Sequence, residues 1–309
     1  MIVKRNLSKT ASPAEKRRGG GVDLAPFWFL LPIIAVFTVM IAVPMMRTFY
    51  YSFTDYNGFS LHPKFIGLTN YKTVFMDKSI LTGLGFTILF AVCTTFFITI
   101  FAILLAVELN KKFWGCNFAR SMFFFFSVPS MALLGLVWRY IFSPLDTGVV
   151  NTVIRWFGGE SVPWLSNSHL ARFCVIFIAI WAQIGWHATL YIAYLQAIPS
   201  DLYEQAEVDG ASSRQQFIHI TLPQLMPGIV VSTFLLMNGG LKIYDLPFAM
   251  LNGGPGFATN TVTQSIIIQG ISQGRYGIGS ALSVLFTIAV AVVVFVQMGV
   301  STFIEKRFE

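Results

Sequence analysis

The sequence predicts an all-α, polytopic membrane protein with six membrane-spanning helices. Only 11% of its 309 residues are charged and 55% are hydrophobic, whereas globular domains carry about 25% charged residues. Mean hydropathy is +0.67. Asp, Glu, Lys and Arg are absent from the segments 24–46, 79–107, 121–138, 173–200, 215–241, 246–274 and 276–304. Because a helix crosses the bilayer with about 20 mostly apolar residues, these segments are the candidate spans.

Six of them predict crossing helices, at about 26–50, 80–108, 118–142, 172–197, 227–250 and 276–303. The segment 246–274 is left out because its NGGPG run at 252–256 breaks regular helix. The fifth span starts near Pro227 because the preceding residues are polar. The first apolar run is too long for a signal peptide and lacks a small-residue cleavage site after it, so it predicts a retained helix.

Basic residues before the first span set the predicted orientation. They are Lys4, Arg5, Lys9, Lys16, Arg17 and Arg18. Positive charge stays on the cytoplasmic side, so the N-terminus is predicted there, and an even number of spans returns the C-terminus to the same side. Residues 1–23 are predicted to be a disordered basic tail. Residues 24–309 are predicted to form one transmembrane domain, since no segment outside the spans could build a core of its own.

A polar, acidic segment at about 199–226, here called the acidic loop, separates the fourth and fifth spans. Asp201 with Glu204 has the spacing of a capping box, and so has Ser212 with Gln215. Gly210 between them suits a backbone turn with positive φ. The loop therefore predicts a cytoplasmic helix-turn-helix, whose second helix ends at Pro223 and Pro227.

The charge of this loop favours a partner protein. Its acidic side chains, opposed by Arg214, are Asp201, Glu204, Glu207 and Asp209. A negative cytoplasmic loop does not serve membrane topology, so docking explains it better. The alternative is a solvated linker that only caps the two spans.

The acidic loop resembles the EAA loop of permease subunits in bacterial ATP-binding-cassette (ABC) importers. The matching residues are Glu204, Ala206, Gly210, Ile220, Leu222 and Pro223, and Gln205 departs from the pattern. The segments 65–71 and 138–142 resemble this family at the start of the second span and the end of the third. Three further segments resemble its carbohydrate-uptake branch, of the maltose and glycerol-phosphate type: 195–199, 253–255 and 276–281. The resemblance covers about 26–304.

The resemblance implies a transport subunit in a bacterial cytoplasmic membrane, without an ATPase site of its own. The acidic loop would then be the coupling helix that fits an ATPase subunit, with contacts at Glu204, Ala206, Asp209 and Gly210. Glu207 adds a further carboxylate for arginine on the partner. The implied partners are a second homologous permease subunit, two ATP-binding subunits that carry ATP and Mg²⁺, an extracytoplasmic solute-binding protein, and a carbohydrate.

Polar groups within spans are candidates for the substrate pathway. Lys242 and Asp245 are predicted to lie three residues apart on one helix, where they could pair. A pair satisfied against a partner subunit or at the outer interface is the alternative. A sugar stacks on aromatic rings and binds to amides, which adds the candidate contacts Gln183, Trp186, Asn238, Gly240 and Tyr244. Each aromatic ring could instead face lipid.

Other function classes lack their signals. No phosphate-binding GxxxxGK[ST] loop occurs, no basic stripe indicates nucleic acid, and the four histidines show no metal spacing. An ion-coupled secondary transporter would need ion ligands near midplane. An intramembrane enzyme would need a catalytic constellation in the spans. A permease for glycerol-phosphate or a polyol stays open as an alternative to a sugar permease.

Overall fold

The computed structural model describes the backbone of residues 25–308 and the side chains of residues 28–300. This part of the chain is helical, and its only β-pairing is an isolated bridge between Thr54 and Phe65. The predicted tail at 1–23 lies outside the described residues. The α-helices are α1 (Ala25–Phe37), α2 (Val43–Tyr51), α3 (Thr69–Met76), α4 (Lys78–Asn110), α5 (Cys116–Phe125), α6 (Met131–Ile141), α7 (Val149–Trp156), α8 (Ser168–Gln196), α9 (Ser200–Val208), α10 (Ser213–Gln216), α11 (Leu222–Gln224), α12 (Met226–Leu241), α13 (Asp245–Leu251), α14 (Val262–Ile267) and α15 (Tyr276–Phe308).

Contacts divide the chain into two compact units, Met1–Arg47 and Thr48–Glu309. In the first, α1 is continued by a π-helical turn at Thr38–Ala42, where the N–H of Val43 donates to the carbonyl of Thr38. Pro44 follows, and a proline in a regular helix would clash with the carbonyl four residues earlier. The wider π turn lets the helix continue through this position.

In the second unit, α4 and α8 form the centre of the fold. Asp77 begins α4 by accepting hydrogen bonds from the N–H groups of Ser79 and Ile80. Small residues such as Ala102 on α4 and Ala188 on α8 are fully buried in one core cluster, which lets two membrane helices pack closely. The opposite side of α4 exposes large apolar side chains, as expected of a surface that meets lipid or another subunit.

Four described helices are long and apolar enough to cross a membrane: Trp28–Tyr51, Lys78–Asn110, Ser168–Gln196 and Tyr276–Val300. A fifth is reached if Ser213–Gln224 and Met226–Leu241, which meet at 63°, count as one span. A polytopic helical membrane fold is therefore confirmed. The first, second, fourth and sixth predicted spans correspond to these long helices.

The third and fifth predicted spans are interrupted rather than continuous. The third is split into α5 and α6 by residues 126–130. Pro129 disfavours helix in the residue before it, and the hydroxyl of Ser130 then caps α6 by accepting from the N–H of Leu133. The fifth is split into α12 and α13 by residues 242–244, and the last turn of α12 before this break contains two consecutive glycines, Gly239 and Gly240.

Candidate functional site

A central cavity of about 440 Å³ lies between α4, α6, α8 and α12. This volume falls within the range of about 300–1,000 Å³ that is usual for small-molecule sites. Its wall is mostly apolar, with a few polar side chains and no Asp, Glu, Lys or Arg. The lining residues are Phe90, Thr94, Ile98, Ser127, Met131, Ala179, Gln183, Trp186, His187, Leu235, Leu236, Gly239, Gly240 and Ile243. Such a wall suits a neutral ligand with polar groups.

Three of the seven predicted pathway residues line this cavity. Gln183 and Trp186 reach it from α8, three residues apart and hence on one face of the helix. Gly240 reaches it from α12 and also packs against α4: a Cβ atom at this position would stand 2.9 Å from the Cα of Ala91. Gly240 thus provides close helix packing. Its neighbour Gly239 has open space around the same position.

The other four predicted pathway residues lie outside the cavity wall. Tyr244 stacks on Phe248 with ring centroids 4.9 Å apart, and Asn238 has a buried side-chain oxygen without a partner among the described residues. The expectation that Lys242 and Asp245 share one helix is wrong. α12 ends at Leu241, and Asp245 begins α13. Both side chains are exposed and form no ion pair within the described chain.

Sequence reasoning missed a buried polar pair beside the central cavity. The Nδ1 atom of His187 and the hydroxyl of Ser232 are 2.7 Å apart, and both residues are buried. This contact joins α8 to α12. The position of His187, four residues after Gln183, was a usable signal because it shares that helix face. Ser127, at the break between α5 and α6, also lines the cavity and carried no comparable signal.

The acidic loop folds as two short helices joined by a tight turn. α9 is followed by Gly210 at φ +79°, as predicted. The capping box of Ser212 and Gln215 is also confirmed, with Ser212 N to Gln215 Oε1 at 2.8 Å. The predicted cap at Asp201 is wrong, because α9 begins directly after Pro199 and places Asp201 inside the first turn.

The second helix of the loop ends between Pro223 and Pro227, as predicted. It runs from Ser213 to Gln224 through a π-helical turn at Phe217–Thr221. This turn lets the helix continue through Pro223, which cannot donate a backbone hydrogen bond. The chain then bends by 63° into α12. The second helix of the acidic loop is therefore connected, through this one bend, to α12, which forms a wall of the central cavity.

Hydrogen bonds tie the two helices of the acidic loop together. The hydroxyls of Tyr203 on α9 and Thr221 on the second helix are 3.0 Å apart. The N–H of Ala211 donates to the carbonyl of Ala206 at 2.9 Å, which closes the turn around Gly210. These contacts make the loop one folded unit.

The outer face of α9 is available to a partner protein. Glu204, Glu207 and Asp209 are exposed and form no ion pair among the described side chains, whereas Ala206 is half-buried. Val208 is 88% exposed and lines a shallow depression with Glu204 and Asp209. The sequence reasoning did not include Val208. A partner protein docked on this face would bury Val208 and could pair its arginine side chains with the surrounding carboxylates.

Comparison with known proteins identifies the family. The family described as binding-protein-dependent transport system inner membrane component matches residues 98–309. The chain belongs to this family. It is a membrane component of a transport system, and the predicted resemblance to binding-protein-dependent importers is confirmed.

Two relatives illustrate the sequence similarity. The probable starch degradation products transport system permease protein AmyD of Thermoanaerobacterium thermosulfurigenes is 31% identical over 274 residues, which cover 88% of this chain and 92% of that protein. The arabinooligosaccharides transport system permease protein AraP of Bacillus subtilis (strain 168) is 28% identical over 297 residues, with 94% of each chain covered. Both relatives match over nearly their full length.

The fold is shared with a solved structure. A crystal structure of a bacterial ABC transporter involved in the import of the acidic polysaccharide alginate matches with a TM-score of 0.79 at 24% identity. The match covers 91% of this chain and 96% of that chain. This similarity establishes the permease fold.

Proposed function

We propose that this chain is one of two permease subunits of an ATP-driven importer for a neutral carbohydrate. In this proposal a second, homologous permease subunit completes the pathway, two separate ATPase subunits supply ATP hydrolysis with Mg²⁺, and an extracytoplasmic binding protein delivers the sugar. The names of the relatives, which include starch degradation products and arabinooligosaccharides, support the substrate class.

One observation supports the mechanism: the second helix of the acidic loop, which is hydrogen-bonded to α9, is joined to a wall of the central cavity through a single 63° bend. Rigid elements of this kind move as bodies when a partner changes shape. We assign Glu204, Ala206, Glu207, Asp209 and Gly210 to the contact with an ATPase subunit. Closure of the ATPases would displace α9, and the displacement would reach α12.

The chemistry of the central cavity favours a neutral sugar over glycerol-phosphate. A phosphate group is bound through charge-assisted hydrogen bonds from Arg or Lys, and the described wall contains neither. Trp186 offers an aromatic face, and Gln183 offers an amide. We assign both side chains, together with Gly240, to the part of the substrate pathway that runs through this cavity. We assign the remaining candidates to a part of the pathway outside the cavity; they are Asn238, Lys242, Tyr244 and Asp245.

Six crossings fit this assignment if the interrupted regions also traverse the bilayer. α5 with α6 would form the third crossing, and α12 with α13 the fifth. The N-terminus and the acidic loop would then both face the cytoplasm of a bacterial cell. In this arrangement residues 24–309 make up the permease domain.

Transport by the complete complex tests the proposed function. The chain is co-purified with its partner subunits, reconstituted into liposomes, and supplied with the binding protein and ATP. We expect ATP-dependent accumulation of at least one of maltotriose, arabinotriose and diacetylchitobiose. Accumulation of glycerol 3-phosphate alone would instead support the phosphate-carrying alternative, and accumulation driven by an ion gradient without ATP would refute the proposal.

Crosslinking tests the docking surface separately. In a background without Cys93, Cys116 and Cys174, the substitution Val208→Cys is expected to crosslink to an ATPase subunit. The matched control is Val153→Cys, which changes another exposed valine; it lies between the third and fourth predicted spans, outside the cell in the proposed topology, and should not crosslink. Equal crosslinking at the two positions would contradict the assignment of α9.

A further inference from the structure

A second cavity, smaller and more polar than the central one, lies where α4 begins. We call it the polar cavity; its volume is about 260 Å³. It is enclosed by the start of α4, the loop before α14, and the π-helical turn at Ile268–Ser272 with the residues that follow it. Its principal side chains are Asp77, Phe257, Asn260, Gln269, Gln273 and Arg275. None of them lines the central cavity.

Two buried amide side chains in this wall each have a carbonyl oxygen that accepts no hydrogen bond from the described part of the chain. Asn260 is 2% exposed and Gln269 is 5% exposed. The amide nitrogen of Asn260 donates to the hydroxyl of Ser265 at 2.8 Å, and that of Gln269 approaches a carboxylate oxygen of Asp77 at 3.4 Å. The carbonyl oxygen of each amide has no hydrogen-bond partner among the described residues. Buried polar groups are nearly always satisfied, so two orphan oxygens beside one cavity indicate a missing hydrogen-bond donor.

The cavity wall carries one negative and one positive side chain that do not pair. Asp77 and Arg275 both line it, yet they form no ion pair. The hydroxyl of Ser79, which donates to Asp77 at 2.6 Å, lowers the pKa of that carboxyl, and the charge of Arg275 contributes in the same direction. Asp77 is therefore ionised at neutral pH.

These charges restrict the kind of ligand. A metal cation would be attracted by Asp77 but repelled by Arg275, and an anion the reverse, so the two charges together give neither kind of ion a large net attraction. A neutral group with several hydroxyls can donate to the carboxylate and the amide oxygens and accept from the guanidinium. The ring of Phe257, which is 55% exposed, adds an apolar face at the same wall. The combination of amides, opposite charges and an aromatic ring suits a sugar.

The two cavities are arranged along α4. Ser79 lines the polar cavity and Thr94 lines the central one. Fifteen residues of helix separate them, which is about 22 Å at 1.5 Å per residue. In the proposed topology the beginning of α4 faces the outside, so the polar cavity lies nearer to the side from which solute arrives.

We propose that the polar cavity is an outer carbohydrate subsite, which binds one sugar residue through Asp77, Asn260, Gln269 and Arg275 before the sugar reaches the central cavity. This inference rests on the proposed import of carbohydrate. The terminal torsions of Asn and Gln side chains have broad energy minima, so small rotations can turn the orphan oxygens of Asn260 and Gln269 toward a bound hydroxyl.

Photolabelling of the complete importer tests this inference. The probe is a diazirine-bearing glycoside of whichever of maltotriose, arabinotriose and diacetylchitobiose the liposomes accumulate. It is added to the resting complex without ATP, and labelled peptides are identified by mass spectrometry. We expect label within 257–275 as well as in the peptide that contains Gln183 and Trp186.

Two variants and a control assign the label to the polar cavity. Arg275→Gln changes an exposed side chain and should fold normally, while Gln269→Leu removes a buried amide. Each is expected to lower labelling of 257–275 by about fivefold to tenfold, the effect of one lost hydrogen bond. Labelling of the peptide with Trp186 should stay unchanged. Arg155→Gln, which removes another exposed arginine between the third and fourth predicted spans, should leave both labels intact.

The outcomes separate this inference from the proposed function. Accumulation of sugar with label found only outside 257–275 would overturn the outer subsite and leave the importer proposal standing. Equal labelling of 257–275 in the wild type and both variants would also overturn the outer subsite alone. Displacement of the sugar probe from 257–275 by calcium chloride would do so too, because it would indicate a cation site. If none of the three sugars is accumulated, both proposals fail together.

Discussion

Substitution of Gly210 by valine is expected to uncouple ATP hydrolysis from sugar uptake while the complex still assembles. Gly210 has φ +79°, and no atom lies within 4 Å of an added Cβ. The free-energy cost of a side chain at this position therefore comes from the backbone conformation and not from a steric clash. Holding an ordinary residue in the left-handed region costs roughly 1–2 kcal/mol, which reduces the population of the observed turn by a factor of about 5–30. The hydrogen bond from Ala211 to Ala206 should be lost with it.

The assay measures sugar uptake and ATP hydrolysis on the same proteoliposomes, and the ratio of the two should fall in Gly210→Val. The matched control is Gly210→Asn, because asparagine adopts the left-handed conformation readily. The ratio of uptake to hydrolysis in this variant should stay within about twofold of the wild type, which corresponds to a free-energy cost at the turn below about 0.5 kcal/mol. Equal loss in both variants would show that the backbone argument is wrong. Equal retention in both would show that the turn is not required for coupling.

Three further predictions concern the rest of the permease. Trp186→Ala should raise the sugar concentration for half-maximal stimulation of ATP hydrolysis by about threefold to tenfold, with Trp186→Phe much closer to the wild type; no change in either would remove this ring from the pathway. Gly240→Ala should destabilise the packing of α12 on α4 by about 1–3 kcal/mol, measured as a lower Tm. Gly239→Ala, with open space at its Cβ, should not lower Tm, because alanine has the higher helix propensity. Asp77→Ala should lower the free energy of unfolding by about 0.5–2 kcal/mol, because α4 loses its N-terminal cap. Asp77→Asn, which keeps an oxygen that can cap the helix, should lower it less. Because the folded-state pKa of Asp77 is depressed, its charge-dependent stabilisation is present above the unfolded pKa and is lost only as pH falls through the folded value. The difference between wild type and Asp77→Ala should thus stay constant between about pH 5 and 8.

The sequence predicts those features of the fold that depend on local composition. Long charge-free segments locate α4, α8 and α15, because burial in a bilayer requires a continuous apolar run. The turn at Gly210 and the capping box at Ser212 are likewise local, since they depend on residues within three or four positions of each other. These predictions agree with the structure.

Features that depend on packing between distant segments could not be predicted in the same way. Composition does not distinguish a continuous span from one interrupted at residues 126–130, because the break requires only one proline and a serine cap. The pairing expected of Lys242 and Asp245 assumed unbroken helix through two glycines. The central cavity brings together Ser127 from the break between α5 and α6, Trp186 from α8 and Gly239 from α12, and a single sequence gives no measure of that proximity.

The 63° bend at the end of the acidic loop has a mechanical consequence. The arm from Ser213 to Gln224 has 12 residues and α12 has 16, so the two arms are about 18 Å and 24 Å long at 1.5 Å per residue. If the bent pair pivots near Leu225 without deforming, a shift at the far end of the shorter arm is enlarged by about 24/18, or roughly 1.3-fold, beside Gly240. A displacement of a few ångströms imposed on the acidic loop would then open or close the central cavity by at least as much.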